Sequence, residues 1–200
     1  ITIDRFSEKP DFILEKDSEI IGLEHQIVVD RKSKEREGFF ENIFNLAEHK
    51  LKTDNSLPNF LANCNIKPYV NFRIKEKQDL VSTIVTVIKT YVITNKLIEN
   101  PIIERISIMP HSGINISGNL GAWWQKNITN DILITAINKK ERLISEYKKN
   151  CGNKQWLLIV IGGTGESSYV MDKNIKLDVK SEFDRIFLLE DFYNNLYELK

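Results

Sequence analysis

Cysteine is scarce in this chain: only Cys64 and Cys151 occur in 200 residues. Two are too few for a disulfide scaffold or a cysteine-based metal site, and they fit a reducing cytosol. Net charge is lacking too. The 28 Lys and Arg balance 28 Asp and Glu, so no overall field argues for nucleic acid, while a local basic patch stays open. No apolar run approaches the roughly 20 residues that span a bilayer, so no membrane partner is expected. A secretory leader pattern is missing, and with the cysteines this predicts a cytoplasmic location. The histidines His25, His49 and His111 do not fall at metal-ligand spacing. No Ser/His/Asp arrangement can be argued from spacing. Internal repeats and low-complexity linkers are absent.

What is present is enough hydrophobic residue, 42%, for a real core. The chain opens on Ile1-Thr2-Ile3, already strand-like and without Met, so an element upstream is expected. Strands are predicted at 11–14 and 20–29, joined by a polar turn. The charged run 30–37 reads as a solvated loop or helix start. Helical spacing follows at 38–52, alternation at 69–75, and a long apolar stretch at 78–95 whose length favours a buried helix. Strands are predicted at 102–108 and 113–117, and a helix over 130–149, capped by Asn130 or Asp131 and ended by Cys151-Gly152. A continuous apolar strand of the fully buried kind occupies 155–161. Further strands are predicted at 174–179, 183–189 and 196–199. One α/β domain with a mixed sheet over 1–200, interrupted by an insertion at 31–129, is the simplest account.

The stretch LLIVIGGTGESS, 157–168, suggests a phosphate-binding glycine loop. Such a loop needs a helix directly after the glycines, because free N–H groups at the helix start hold the pyrophosphate. Here Gly162, Gly163 and Gly165 are followed by strand-like alternation and no Gly-Lys-Ser/Thr. A loop leaving a buried strand is the better reading, and nucleotide binding the lesser one.

The informative stretch is KPDFILEKDSEIIGLEHQIVVD, 9–30. If Asp17-Ser18 is a two-residue turn, Leu14 faces Ile21, Ile13 faces Gly22 and Asp11 faces Glu24. Directly opposed residues hold their Cβ atoms about 5 Å apart. Gln26 then shares a face with Glu24, with Gly22 leaving room beside them, and His25 points to the other face with Leu23 and Ile27. Two opposed carboxylates repel unless a cation or proton sits between them, and a hard divalent ion such as Mg²⁺ answers that need. The plainer alternative is an exposed hairpin with solvated charges.

Pro10-Asp11, a hairpin, then Glu24-x-Gln26 resembles the signature of the PD-(D/E)XK nuclease superfamily. PDFIL…IGLEHQ is also similar to a restriction-endonuclease-like bacterial group that reads Pro-Asp-Phe, then Gly-Ile-Glu-x-Thr. The resemblance covers 9–29 and, more loosely, 130–161. It implies a restriction-endonuclease-like core with a central mixed β-sheet flanked by helices. It also implies that Asp11 and Glu24 bind Mg²⁺ or Mn²⁺. Gln26 stands where the superfamily carries a lysine that activates the attacking water; some restriction-enzyme members carry Gln there.

The helix over 130–149 adds a physical observation. Leu133, Ile137, Lys140, Ile144 and Tyr147 follow a 4-3-4-3 spacing, so Lys140 lies in an apolar stripe, while Lys139 lies beside Ile132, Ala136 and Leu143. Either lysine snorkels to water or reaches the carboxylates and supplies the missing cation. Superfamily members with a lysine migrated to this helix make Lys140, or Lys139, a catalytic candidate with Asp11, Glu24 and Gln26.

Trp123-Trp124 are candidates for base stacking or for packing, and His111 is a loop candidate. Arg31, Lys32, Lys34, Lys67, Arg73 and Lys75 are candidates to grip a phosphate backbone. The expectation is a Mg²⁺-dependent phosphodiesterase acting on DNA, or second on RNA, with a homodimer as a compatible assembly. The competing expectation is a nuclease-like fold kept as a binding or assembly module without catalysis.

Overall fold

The computed structural model describes the chain apart from residues 69, 71, 122–124, 173–174 and 176–178. Its elements begin β1 (Thr2–Phe6), β2 (Phe12–Lys16), β3 (Glu19–Ile27), α1 (Arg31–Lys52), β4 (Phe60–Ile66), α2 (Lys77–Thr94), β5 (Ile103–Pro110) and β6 (Asn115–Asn119). They continue β7 (Lys126–Asn127), α3 (Asn130–Glu141), α4 (Ile144–Cys151), β8 (Gln155–Ile161), β9 (Tyr169–Val170), β10 (Arg185–Glu190) and β11 (Asn195–Glu198). The fold is α/β, with a mixed multi-stranded sheet flanked by helices. It divides into two compact units, Ile1–Asp30 with Gln125–Lys200, and Arg31–Trp124. The expected interruption, 31–129, begins where the second unit begins and ends a few residues beyond it.

In the first unit six strands lie in the order β1-β2-β3-β8-β10-β11. β1, β2 and β3 form an antiparallel meander, β3, β8 and β10 are parallel, and β11 returns antiparallel. Asp17 and Ser18 both take positive φ, 52° and 65°. Such a turn has the twist that two-residue hairpins favour. It sets the register expected from the sequence: Leu14 opposite Ile21, Ile13 opposite Gly22.

The inward face of this sheet carries Leu157, Ile159, Ile161, Ile186 and Leu188. They pack on Leu133, Ala136, Ile137, Ile144 and Tyr147 of the helices. The other face carries a smaller cluster of Leu14, Ile21 and Trp156, with the Arg185 guanidinium over Trp156 and Phe187.

Two expectations for this unit change. The helix over 130–149 is two helices, because the Leu143 N–H closes a tight turn on the Lys140 carbonyl at 2.9 Å and Leu143 leaves helical geometry. The first of them is capped by Thr129, whose extended backbone lets its hydroxyl accept from the Ile132 N–H, rather than by Asn130 or Asp131. The strand predicted at 174–179 lies largely outside the described residues.

In the second unit a three-stranded sheet, β5-β4-β6, is covered on one face by α1 and α2. Phe40, Ile43, Phe44, Ala47 and Leu51 of α1 and Val81, Ile84, Val87 and Ile88 of α2 meet Phe60, Ala62, Cys64 and Ile66 of β4. The charged run 31–37 is the first part of α1. β4 is not among the predicted strands. Of the strand predicted at 69–75, Tyr69 and Asn71 lie outside the described residues and Ile74–Glu76 is a 3-10 turn leading into α2. There the Glu76 carboxylate accepts from the Arg73 N–H at 3.2 Å, and Phe72 stacks on Phe39 with ring centroids 3.9 Å apart. Those contacts hold a turn where alternation suggests a strand.

Candidate active site

β3 runs through the middle of the first unit, paired with β2 on one side and β8 on the other. Its alternation sends Gly22, Glu24 and Gln26 to the helix-covered face, opposite Gln155, Leu157 and Ile159 of β8. Glu24 is therefore a carboxylate in a packed interior, only 4% exposed. A buried ionised group needs a partner, and the partner is Lys140: its ammonium donates to Glu24 Oε1. The lysine side chain is 19% exposed, so its stem crosses the apolar stripe while its charge reaches inward. Lys140 rather than Lys139 is the lysine that meets the carboxylate.

Asp11 comes to the same place by another route. The β2–β3 ladder starts at Phe12, so Asp11 stands one residue outside it and is not a ladder partner of Glu24. Instead the Asp11 N–H donates to Glu24 Oε2 at 3.2 Å. The Asp11 carboxylate turns toward His25: Oδ2 accepts from the His25 N–H at 2.9 Å and lies 2.7 Å from His25 Nδ1. The two carboxylates are thus neighbours, but not the face-on pair that a continued ladder would make.

α4 helps to hold the approach to Asp11. Lys9 pairs with Glu146 at 2.7 Å, Asn150 Nδ2 donates to the Lys9 carbonyl at 2.7 Å, and the Ser7 N–H donates to the Asp11 carbonyl at 2.9 Å. Gly22 is required by a close approach rather than by open room. A Cβ there would stand 2.3 Å from Gln155 Oε1, 2.6 Å from Cys151 Sγ and 2.8 Å from Pro10 Cγ.

Two residues acquire a place here that the sequence reading does not give them. His25 orients Asp11 from the opposite face. Tyr147, read only as part of the apolar stripe, is fully buried with its hydroxyl beside the Glu24 carboxylate. Burial first, then the charge of Glu24 and a side-chain hydrogen bond to it, push its pKa up. Its position seven residues after Lys140 in the stripe is the signal that points to it.

Two carboxylates, Asp11 and Glu24, are the side chains here that could hold a hard cation, although Lys140 and the Asp11 N–H already engage both Glu24 oxygens. Asp11 and Glu24 offer carboxylate oxygens, Asp11 Oδ1 has no protein donor among the described residues, and Gln26 Oε1 is buried with no partner. No cluster of three or more His, Cys, Asp and Glu side chains able to hold a metal occurs among the described residues. A cation here would have two carboxylates, with amide, backbone and water oxygens completing its shell, which is a usual arrangement for Mg²⁺.

The other candidates lie elsewhere. After β8 no helix follows the glycines. Gln125 Nε2 donates to the carbonyls of Gly163 and Gly165 at 2.9 and 3.0 Å, and the chain passes to β9. His111 belongs to the second unit, where its Nδ1 accepts from Asn115 Nδ2 at 2.9 Å in the β5–β6 loop. Trp123 and Trp124 lie outside the described residues. Burial pushes the Cys64 thiol up to about 12, so it is no nucleophile. An open pocket of about 360 Å³ is lined by residues from Asn127 to Asp131 with Asp172 and Ile175, and none of the four predicted site residues lines it. No helix among the described residues is long and apolar enough to cross a membrane. No known protein family, curated protein or solved structure matches the chain.

Proposed function

We propose that the protein is a Mg²⁺- or Mn²⁺-dependent phosphodiesterase of the PD-(D/E)XK type acting on DNA in the cytoplasm. The observation that carries this reading is the interior Glu24–Lys140 ion pair with Asp11 anchored beside it. Order in the chain supports it as well. An antiparallel three-stranded meander, then helix, then a strand parallel to the meander's last member is the βββαβ order of a restriction-endonuclease-like core.

In this reading Asp11 and Glu24 bind the cation, which when bound lowers the pKa of water and neutralises charge on phosphate. Gln26 offers its amide to hold a water beside Glu24. Lys140 offsets charge developing on the phosphate, from the helix instead of from position 26. By composition the second unit is the more basic: it holds 13 Lys and Arg against 9 Asp and Glu, while the first holds 15 against 19. Arg31, Lys32, Lys34, Arg73 and Lys75 are exposed on it, whereas Lys67 donates to the Asn100 carbonyl at 2.5 Å.

The test is cleavage of single- and double-stranded DNA, and of RNA, with Mg²⁺ or Mn²⁺. Cutting that EDTA and Asp11→Ala both abolish is the expected result; cutting that survives either one overturns it. A second reading, a nuclease-like fold used only for binding, is favoured by the engagement of Asp11 Oδ2 with His25 and by Gln26 in the lysine's position. It predicts salt-sensitive DNA binding that needs no metal, and no cleavage.

A further inference from the structure

β1 is an edge strand whose five residues are all exposed, and among the described residues no strand pairs with its outer side. An open edge offers unpaired N–H and C=O groups to another strand, and proteins blunt it with charge, a bulge or a short length. β1 is short, bulged and charged, yet it also exposes Ile3 at 55% and Phe6 at 76%. Its charges are one of each sign, Asp4 beside Arg5, whereas repulsion between copies calls for one sign alone.

The bulge decides which side chains share a face. Ile3 stands opposite Leu14 and Arg5 opposite Ile13, so Asp4 is the extra residue. In a regular strand Ile3 and Phe6 would point to opposite faces. Here Ile3 follows Leu14, and Phe6 follows Phe12 with ring centroids 5.5 Å apart, so both lie on the face that carries Leu14, Ile21 and Trp156. Arg5 follows Ile13 to the helix-covered face and reaches back to Asp4, Nη1 to Oδ2 at 3.6 Å.

Set antiparallel to itself about the Asp4–Arg5 midpoint, this strand is self-complementary. Ile3 meets Phe6 of the second copy and Asp4 meets its Arg5, each pair occurring twice. The bulge puts Ile3 and Phe6 on one face and lets Asp4 and Arg5 share the other, as a dyad perpendicular to the sheet requires. β11, at the other edge of the sheet, lacks this property: its one charged residue, Glu198, is taken by Arg185 at 2.6 Å.

We propose that a second copy of the chain docks antiparallel on β1, in a two-fold dimer that joins the two six-stranded sheets edge to edge. Two short strands bury less than the roughly 1,000 Å² of a stable interface, so the dimer is weak and concentration-dependent. Isologous pairing closes at two copies, whereas β1 against β11 would run on into a filament.

The experiment is sedimentation velocity on the full chain, from low micromolar to near-millimolar protein. Wild type is expected to pass from monomer to dimer. Asp4→Arg and Arg5→Asp each turn two attractive pairs into two repulsive ones, and each should weaken dimerisation at least about tenfold. Combining Asp4→Arg with Arg5→Asp restores the pairs and should return the affinity to within about threefold of wild type. An equimolar mixture of the two single variants should form a heterodimer, because the arginines of one then face the aspartates of the other. Damage to folding would not be repaired by mixing, so the heterodimer separates a lost interface from a lost fold. A wild type that stays monomeric, species larger than a dimer, or single variants that dimerise as wild type does would each overturn the proposal. So would a mixture and a double variant that both remain monomeric.

Discussion

Replacing Lys140 by Met tests the site most directly, because it removes the ammonium and keeps most of the stem's apolar volume. Glu24 would keep the Asp11 N–H at 3.2 Å and the neighbouring Tyr147 hydroxyl, but no cation. Removing one partner of a buried ion pair costs about 3–5 kcal/mol, because the surviving charge is left uncompensated. Here the lysine side chain is 19% exposed, so water can enter where the ammonium was. The expected loss is therefore nearer about 2–3 kcal/mol. At about 2–4 °C per kcal/mol for a chain of this length, the thermal midpoint in EDTA falls by about 5–10 °C. Glu24→Gln combined with Lys140→Met replaces the ion pair by neutral groups and should return to within about 1 kcal/mol of wild type. The assay is urea unfolding followed by circular dichroism across the full cycle of single and double mutants. A loss below about 1 kcal/mol in Lys140→Met, or strict additivity in the double mutant, would refute the argument that burial makes this pair interdependent. Excess Mg²⁺ should raise the midpoint of Lys140→Met more than that of wild type, since a bound cation replaces the missing charge.

Gly22→Ala should destabilise by about 1–3 kcal/mol, read as a lower urea midpoint, because its Cβ would meet Gln155 Oε1 at 2.3 Å. An unchanged midpoint would mean that the Gln155 amide swings aside freely. In the second unit the Lys89 ammonium, with help from Ser56, holds the Asp54 carboxyl at about 2. A depressed folded-state value contributes stability that is present above the unfolded value, about 3.9, and lost as pH falls through about 2. Carboxyl-detected NMR should find Asp54 titrating near 2, and Lys89→Met should move it upward.

How much of this was legible depended on whether a local pattern decided it. The hairpin register followed from a short turn and from alternation, and β2 and β3 pair as that arithmetic requires. β8 was legible because a parallel strand buried on both faces reads as an unbroken apolar run. Lys140 was legible because its neighbours at helical spacing are apolar, and the stripe faces inward despite the break after Glu141. That break carries no Gly or Pro to announce it. β4 went unread because Asn63 and Asn65 occupy its outward positions, and asparagine is a poor strand former. The turn at Ile74–Glu76 depends on Phe39, more than thirty positions away, which no local window contains.

Asp11 shows where such reading stops. Register arithmetic treats a ladder as continuing until a breaker ends it, and that would set Asp11 squarely against Glu24. The ladder instead begins at Phe12, one residue later. Outside the ladder a residue is free of period-two alternation, so Asp11 sends its N–H to Glu24 and its carboxylate to His25, a residue of the opposite face. The gain is that both carboxylates are oriented by hydrogen bonds without direct opposition of like charges. On the proposed reading it also accounts for a neutral residue at position 26. With Lys140 already on Glu24, a second ammonium on β3 would meet the first across an apolar interior, at a cost that a neutral amide avoids. The lysine on the helix and the glutamine on the strand are two parts of one electrostatic arrangement.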